Sequence, residues 1–240
     1  MNKAWIAHAA LLIVAALYGA NYLVAKGLMP DKIGPSGFIV FRVLGALVLF
    51  GAMYMIKPEK IQKKHICRFI LCGLAGFACN QLLFFNGLNL TSPVHASIIM
   101  TINPVLVMIM GAVILKLAIT KRQVLGLVIG GVGAIAMLIL GAQENVREAS
   151  LEGNLMVLLN AASYAVYLVL AKPLMNSYRA VTVIFYVFLF GALFVLPIGA
   201  SQALAVDFGS FESEHWIGLG YVILGTTFLA YLLNIYALQK

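Results

Sequence analysis

Long apolar runs recur along this sequence, and they constrain its fold more than any other feature. A helix that crosses a bilayer needs about 20 mostly apolar residues, because it must span about 30 Å of hydrocarbon. Runs such as 105–115 and 125–140 do not alternate between apolar and polar residues, as the strands of a membrane barrel do. Only 10% of the 240 residues are charged, against roughly a quarter in soluble domains. The sequence therefore predicts an all-α polytopic membrane protein.

Apolar length, together with the polar, glycine and proline residues between the runs, predicts eight transmembrane helices. The predicted spans are 5–26, 35–56, 67–86, 93–115, 122–141, 153–172, 179–200 and 215–237. The loops are short, so no soluble domain is expected. The first run lacks a small-residue cleavage site and is predicted to be a permanent helix rather than a signal peptide.

Three cysteines, Cys67, Cys72 and Cys79, fall in a single apolar span. We interpret them as small packing residues rather than a disulfide or a metal site. No cofactor is predicted.

Basic residues are distributed unequally between the two sets of loops. One set, with both chain ends, holds most of the 16 basic residues, namely Lys3, Lys57, Lys60, Lys63, Lys64, Arg68, Lys116, Lys121, Arg122, Lys172, Arg179 and Lys240. The other set holds Lys26, Lys32 and Arg147, with all of the acidic residues except Glu59. Because basic loops stay in the cytoplasm, the pattern predicts a bacterial inner-membrane protein with cytoplasmic N- and C-termini. The net charge of +8 is therefore ascribed to membrane topology, not to nucleic-acid binding.

The sequence also aligns with itself at a nearly constant offset. Residues 16–29 align without gaps on 162–175 at an offset of 146. The same offset places Gly45-Ala46-Leu47 on Gly191-Ala192-Leu193, and residues 81–88 align on 231–238 at an offset of 150. Compositional similarity among apolar helices is the alternative explanation.

This alignment predicts a five-helix first repeat over 1–143 and a partial, three-helix second repeat over 150–240. An odd number of helices inverts the second copy in the membrane, and inverted repeats of this kind are characteristic of secondary transporters. Residues 90–143 have no second copy. A complete pair of repeats would need roughly 50 more residues and two more helices, so we expect the sequence to be shortened at its C-terminus.

Several short motifs make the chain resemble the EamA branch of the drug/metabolite transporter superfamily. They are Ala16-Leu17-Tyr18-Gly19-Ala20-Asn21, Phe41-Arg42, Pro93-Val94-His95-Ala96-Ser97, Asn103-Pro104, Thr120-Lys121-Arg122-Gln123 and the glycine-rich stretch from Gly126 to Gly133. The resemblance covers essentially the whole chain. It implies a ten-helix, two-repeat transporter of the inner membrane, often an exporter of amino acids or other small metabolites.

The chain departs from that family's pattern at two points. Leu117 stands where the family usually has an acidic residue, at the cytoplasmic end of span four. The ninth and tenth helices have no counterpart, although the ninth helps to line the central cavity in the family.

Polar and aromatic residues inside the spans are the candidate substrate-binding residues. Arg42 is the one charge well inside a span, and burying it costs ~2.5–3.5 kcal/mol on insertion scales. It is expected either to bind a substrate carboxylate or to snorkel to the outer interface. The other candidates are Tyr18, Asn21, Asn80, Gln81, Phe84, Asn103, Asn160, Tyr164, Tyr167, Thr227 and Tyr231.

The faces of spans one and six that carry these residues are related by the repeat. We expect them to meet across a pseudo-two-fold axis and to form an aromatic cavity with a few hydrogen-bonding groups. Hydrogen bonding between helices is the alternative role.

Three further features of the sequence carry local predictions. His95 is interpreted as a hydrogen-bonded packing residue, with a proton relay as the alternative. Pro104 is expected to break span four and to free backbone carbonyls beside Asn103. The glycines Gly126, Gly130 and Gly133 allow close helix approach, and a homodimer through helix five is a hypothesis.

Taken together, these features predict a secondary transporter that moves a small metabolite out of the cell by alternating access around a central cavity. Its partners would be a small amino-acid-like or other polar organic substrate and the lipid bilayer. A transport-incompetent fragment and a channel are the alternatives. An intramembrane enzyme is not expected, because Asp31 and Asp207 lie in loops and no HExxH motif occurs.

Overall fold

The structure, a computed structural model, describes the backbone of residues 3–141 and 150–238. Side chains are described at 5–6, 8–133 and 150–234. Four of the charged residues on which the predicted topology rests lie outside the described residues, namely Glu144, Arg147, Glu148 and Lys240.

Eight long helices follow one another along the described chain. They are α1 (Lys3–Leu28), α2 (Pro35–Ile56), α3 (Lys63–Leu90), α4 (Pro93–Leu115), α5 (Lys121–Gly141), α6 (Leu151–Ser177), α7 (Ala180–Leu204) and α8 (213–238), with a short 3₁₀ helix at Phe208–Ser210 before α8. Among the described residues, seven of these helices, all except α5, are long and apolar enough to cross a membrane. Helix α5 is 21 residues long. The prediction of an all-α polytopic membrane protein is confirmed.

The helices extend further than the apolar runs at several ends. Helix α3 begins at Lys63, whereas the predicted span began at 67. Lysine and arginine are accommodated at the end of a membrane helix, because their apolar stems lie along apolar surface while the charged groups reach the interface. Helix α6 continues through Pro173 to Ser177. Proline is tolerated within membrane helices because neighbouring groups and local adjustments of the helix satisfy the carbonyl that it frees. At the end of α6 the Ser177 hydroxyl donates to the Pro173 carbonyl at 3.0 Å.

Two of the helices contain a wide π-helical turn near their middle. In α3 this turn covers Leu74–Cys79, and in α8 it covers Tyr221–Leu229. Cys79 and Leu229, which end the two turns, are separated by the repeat offset of 150. Such turns occur frequently at functional sites.

Helix α4 is interrupted in the middle, as Pro104 predicts. The first half ends at Met100, Thr101 and Ile102 form a turn, and the second half begins at Asn103. The amide of Thr101 donates to the Ile98 carbonyl, three residues earlier, at 3.0 Å. This spacing makes a tighter turn than the four-residue spacing of an α-helix.

The described chain divides into two compact units. The first unit contains α1, α2, α7 and α8, and the second unit, Ile61–Ser177, contains α3 to α6. Each unit therefore holds helices from both predicted repeats, and the repeat boundaries themselves remain a prediction.

Within the first unit, α2 and α7 pack closely. A Cβ on Gly199 of α7 would overlap the backbone of Ser36 in α2, so only glycine allows this approach. The Gln202 side chain of α7 then accepts hydrogen bonds from the amides of Ser36 and Gly37 at 2.9 and 3.2 Å. These bonds cap the start of α2, whose first amides have no partner inside the helix.

Within the second unit, α3 packs on α6. A Cβ on Gly87 would lie 2.9 Å from the Gly153 carbonyl oxygen, so the two backbones touch. Beside this crossing the Thr91 hydroxyl donates to Asn154 Oδ1 at 2.6 Å. The crossing fixes the register of α6 against α3 and so places the polar residues described next.

Candidate substrate-binding site

Arg42 lies inside the first unit, enclosed by protein. Its residue is 4% exposed, and its Nε donates to the Thr227 hydroxyl of α8 at 3.0 Å. Tyr18 of α1 and Tyr231 of α8 lie close enough to interact with it electrostatically. This arrangement is not the snorkelling one, in which the guanidinium would reach water at the outer interface.

The π-helical turn of α8 supplies the groups that connect Arg42 to α1. The hydroxyls of Thr226 and Thr227, both fully buried, donate to the same Val222 carbonyl at 2.9 and 2.8 Å. Thr226 Oγ1 also lies 3.3 Å from Asn21 Oδ1 of α1. We call the residues Tyr18, Asn21, Arg42, Thr226, Thr227 and Tyr231 the Arg42 cluster.

Aromatic rings border this cluster on one side. Phe50 of α2 stacks on Phe188 of α7 with centroids 5.7 Å apart, and it lies 5.0 Å from the ring of Phe228. Tyr231 completes the group at 5.3 Å from Phe188. A buried cation beside aromatic rings and hydroxyls is an environment that suits a carboxylate attached to an apolar or aromatic body.

A second polar group lies between α3 and α6, within the second unit. Asn160 Nδ2 donates to the Asn80 carbonyl at 2.6 Å, and Gln81 Nε2 donates to Asn80 Oδ1 at 2.7 Å. We call these three residues the Asn80 cluster. Gln81 Oε1 and Asn160 Oδ1 are buried and have no hydrogen-bond partner among the described residues. Two unsatisfied acceptors are costly in a low-dielectric interior, and groups of this kind bind ammonium or hydroxyl donors.

Tyr164 and Tyr167 of α6 point to different surroundings. Tyr167 is buried against Gly76 in the π-helical turn of α3, where a Cβ on Gly76 would overlap its ring. Tyr164 lines a cavity formed by α4, α5 and α6, and the two tyrosine rings are 5.9 Å apart.

That cavity has a volume of about 1150 Å³ and an almost wholly apolar wall. Asn103 lines it at the break in α4, and the buried Asn103 Oδ1 has no hydrogen-bond partner among the described residues. The glycines Gly126 and Gly130 of α5 also line it, with open space beside their Cα atoms. The dimer through α5 remains a prediction.

Equivalent positions of the two predicted repeats make corresponding contacts inside the two units. The Gly76–Tyr167 contact of α3 and α6 corresponds, by the offsets of 150 and 146, to the Thr226–Asn21 contact of α8 and α1. The Ser163 hydroxyl donates to the Ala75 carbonyl at 2.6 Å. At the equivalent positions, a Cβ on Gly225 would lie 3.5 Å from the Leu17 side chain.

The structure thus brings together five of the predicted residues in the Arg42 cluster and three in the Asn80 cluster. Phe84 lies in α3 with its ring edge-on to Phe85 at 5.0 Å. The expected meeting of the α1 and α6 faces remains a prediction. The Ser92 hydroxyl caps α4 by accepting from the His95 amide at 3.2 Å, and the same hydroxyl lies 2.8 Å from His95 Nδ1.

Sequence reasoning missed Thr226 and Tyr221. The Tyr221 hydroxyl donates to the Leu17 carbonyl at 2.7 Å and joins α8 to α1. The sequence did contain a signal for Thr226, because two adjacent polar threonines are uncommon within an apolar span.

Comparison with known proteins agrees with this architecture. A family model described as the EamA-like transporter family matches residues 5–139 and 151–240. The chain is 28% identical over 228 residues to the uncharacterized transporter YyaM of Bacillus subtilis (strain 168), covering 92% of this chain and 74% of that protein. It is also 27% identical over 138 residues to a WAT1-related protein of Arabidopsis thaliana, covering 53% of this chain and 38% of that one.

A solved crystal structure shares the fold. It superposes with a TM-score of 0.69 at 17% sequence identity, over 98% of this chain and 80% of that one. The family match spans nearly the whole sequence and agrees with the membrane helices observed. The chain belongs to the EamA-like transporter family and is a membrane transporter of the drug/metabolite transporter superfamily.

Proposed function

We propose that this transporter carries a small metabolite with a carboxylate group, such as an amino acid, and that Arg42 binds the carboxylate. The observation that carries the proposal is the position of Arg42, a cation inside a membrane helix and buried in protein. A charge placed there costs ~2.5–3.5 kcal/mol on insertion scales. We expect contact with a substrate anion to offset part of this cost.

The neighbours of Arg42 support this substrate class. Its Nε donates to a threonine hydroxyl, and two tyrosines lie near it. The carboxylates among the described residues lie in loops or at helix ends. A guanidinium presents five donors in a planar fork that matches a carboxylate. The nearby rings of Phe50, Phe188 and Phe228 favour an apolar or aromatic body on the same molecule.

We further propose alternating access as the mechanism and export as the direction. Secondary transporters with inverted repeats expose a site alternately to the two sides as one repeat rocks against the other. The matching π-helical turns in α3 and α8 support this mechanism. The direction rests on the resemblance to exporters of this family, and the basic loops support cytoplasmic termini in a bacterial inner membrane. No covalent change of the cargo is part of the proposal.

The test compares the culture medium of cells that express the protein with that of cells carrying an empty vector. Untargeted mass spectrometry is expected to find at least one carboxylate-bearing compound that accumulates outside the expressing cells. Cells with Arg42→Gln are expected to lose that accumulation. Cells with Arg122→Gln, which removes an exposed arginine at the start of α5, are expected to keep it.

Three results would contradict the proposal. One is a medium that does not change on expression. Another is an exported compound without an anionic group. The third is an Arg42→Gln protein, present in the membrane at the normal amount, that exports as well as the unsubstituted chain.

A further inference from the structure

A separate cleft lies at the start of α3, and none of its lining residues belongs to either polar cluster. It has a volume of about 440 Å³ and is lined by Lys64, His65, Cys67, Arg68, Leu71 and Leu170. All six residues belong to the second unit, with Leu170 contributed by α6 and the others by α3. A cleft of this size falls within the range of small-ligand pockets.

The α3 side of the cleft changes character along its length. Lys64, Cys67, Arg68 and Leu71 follow the i, i+3, i+4, i+7 spacing and so share one helix face. Leu71 lies seven positions after Lys64, a rise of about 10 Å along the helix axis. The face therefore begins with cationic groups at the helix end and becomes apolar towards the membrane interior.

Within the part of the second unit that the structure describes, no carboxylate lies close to the cationic groups of the cleft. Among the described residues of the second unit, Glu152 is the one acidic residue. It lies at the start of α6, 18 residues before Leu170, or about 27 Å along the helix axis. The first turn of α3 contains no acidic residue, so the positive end of the helix dipole adds to the same field.

We propose that this cleft binds an anionic phospholipid, with its phosphate at Lys64 and Arg68 and an acyl chain against Leu71 and Leu170. The cationic groups match a phosphate, for which arginine and lysine are the usual protein ligands. The two leucines distinguish a lipid from a soluble phosphate, because Leu71 is 44% exposed and presents apolar surface just below the charges. Basic pockets between membrane helices on the cytoplasmic side bind anionic headgroups in this way.

Cys67 supplies a reporter inside the cleft. It is exposed, whereas Cys72 is buried. In a full-length protein with Cys72→Ala and Cys79→Ala, Cys67 is the one remaining thiol, and its alkylation rate by N-ethylmaleimide reports occupancy of the cleft. The purified protein in dodecyl maltoside is titrated with phosphatidylglycerol, with phosphatidylcholine, or with soluble glycerol phosphate.

Phosphatidylglycerol is expected to slow the alkylation of Cys67, and phosphatidylcholine and glycerol phosphate are not. Each cation near an anionic headgroup contributes roughly a five-fold gain in binding. The Lys64→Gln/Arg68→Gln double variant is therefore expected to need about 25-fold more phosphatidylglycerol for the same protection. The matched control, Lys121→Gln/Arg122→Gln, removes two cations from the start of α5 and is expected to titrate like the parent protein.

Each other outcome overturns the proposal. Equal protection by phosphatidylcholine would mean a non-selective apolar groove. Equal protection by glycerol phosphate would mean a site for a soluble anion. Protection by no compound, or unchanged protection in the Lys64/Arg68 double variant, would mean that the cleft holds no lipid. Native mass spectrometry of the same samples, which counts retained phosphatidylglycerol, checks that a change in thiol rate reflects binding.

Discussion

The Nε atom of Arg42 lies 3.0 Å from the Thr227 hydroxyl oxygen, and this hydrogen bond joins the charged residue of α2 to the π-helical turn of α8. The turn matters because it places the hydroxyls of two consecutive threonines on one carbonyl, that of Val222. Thr227 Oγ1 then accepts from Arg42 Nε, and Thr226 Oγ1 lies 3.3 Å from Asn21 Oδ1. Three helices of the first unit are thus connected through one local irregularity.

The Arg42–Thr227 bond predicts a loss of stability when the hydroxyl is removed. Thr227→Val is expected to destabilise the protein by about 1–3 kcal/mol, because a buried charged donor loses its acceptor. Thr227→Ser, which keeps the hydroxyl, is expected to restore most of that loss. Reversible unfolding in mixed detergent and SDS micelles, followed by circular dichroism, measures the difference.

Thr182 of α7 provides a matched control for this substitution. It is equally buried, and its hydroxyl has no hydrogen-bond partner among the described residues. Thr182→Val replaces an unsatisfied polar group by an isostere and is expected to be neutral or slightly stabilising. Similar losses in Thr182→Val and Thr227→Val would contradict the assigned role of the hydroxyl.

The contact between Gly76 and Tyr167 predicts sensitivity to a single methyl group. Gly76→Ala would drive a Cβ into the Tyr167 ring, and overpacking of this kind costs typically 1–3 kcal/mol. Gly126→Ala, at a glycine with no heavy atom within 4 Å of the added Cβ, is expected to have no such cost. Thermal denaturation of both variants in detergent compares them, and an equal effect would show that α3 and α6 do not pack as described.

The predicted topology places Cys67 at the cytoplasmic face. A membrane-impermeant maleimide is therefore expected to label the Cys72→Ala/Cys79→Ala protein in inside-out vesicles and not in intact cells. A cysteine introduced at Asp207, in the loop before α8, supplies the opposite control once Cys67 is also replaced. Labelling of Cys67 in intact cells would reverse the proposed orientation.

Much of the helical architecture was predictable because a membrane removes water as a partner for the backbone. Each uninterrupted apolar run had to form a helix to satisfy its own amides and carbonyls. The ends were less predictable, as α3 and α6 show. Lys63 precedes the apolar run that predicted span three, and Pro173 usually ends a helix in a soluble protein. The helices nevertheless include both residues, because an interface accommodates the lysine and a long membrane helix accommodates the proline.

The site was predictable where a residue was chemically out of place. Arg42 stood out as a charge within an apolar run, and the structure encloses it beside the predicted Thr227. Thr226 was missed because its position depends on the π-helical turn. In an ordinary α-helix, two adjacent threonine side chains point about 100° apart. The extra residue of a π-helical turn leaves no periodic pattern in the sequence from which it could be predicted.

Direct binding of matched ligands to the purified protein tests the central claim, that Arg42 recognises a carboxylate. Each of the common α-amino acids is compared with its primary amide, which has the same body but no negative charge, by the shift in melting temperature and by isothermal titration. At least one amino acid is expected to bind and to stabilise the protein while its amide does not. Arg42→Gln is expected to weaken that binding about 30-fold or more, because removing one partner of a buried charge pair costs about 2–5 kcal/mol. Equal binding of acid and amide, binding by no amino acid, or undiminished binding by Arg42→Gln would contradict the account.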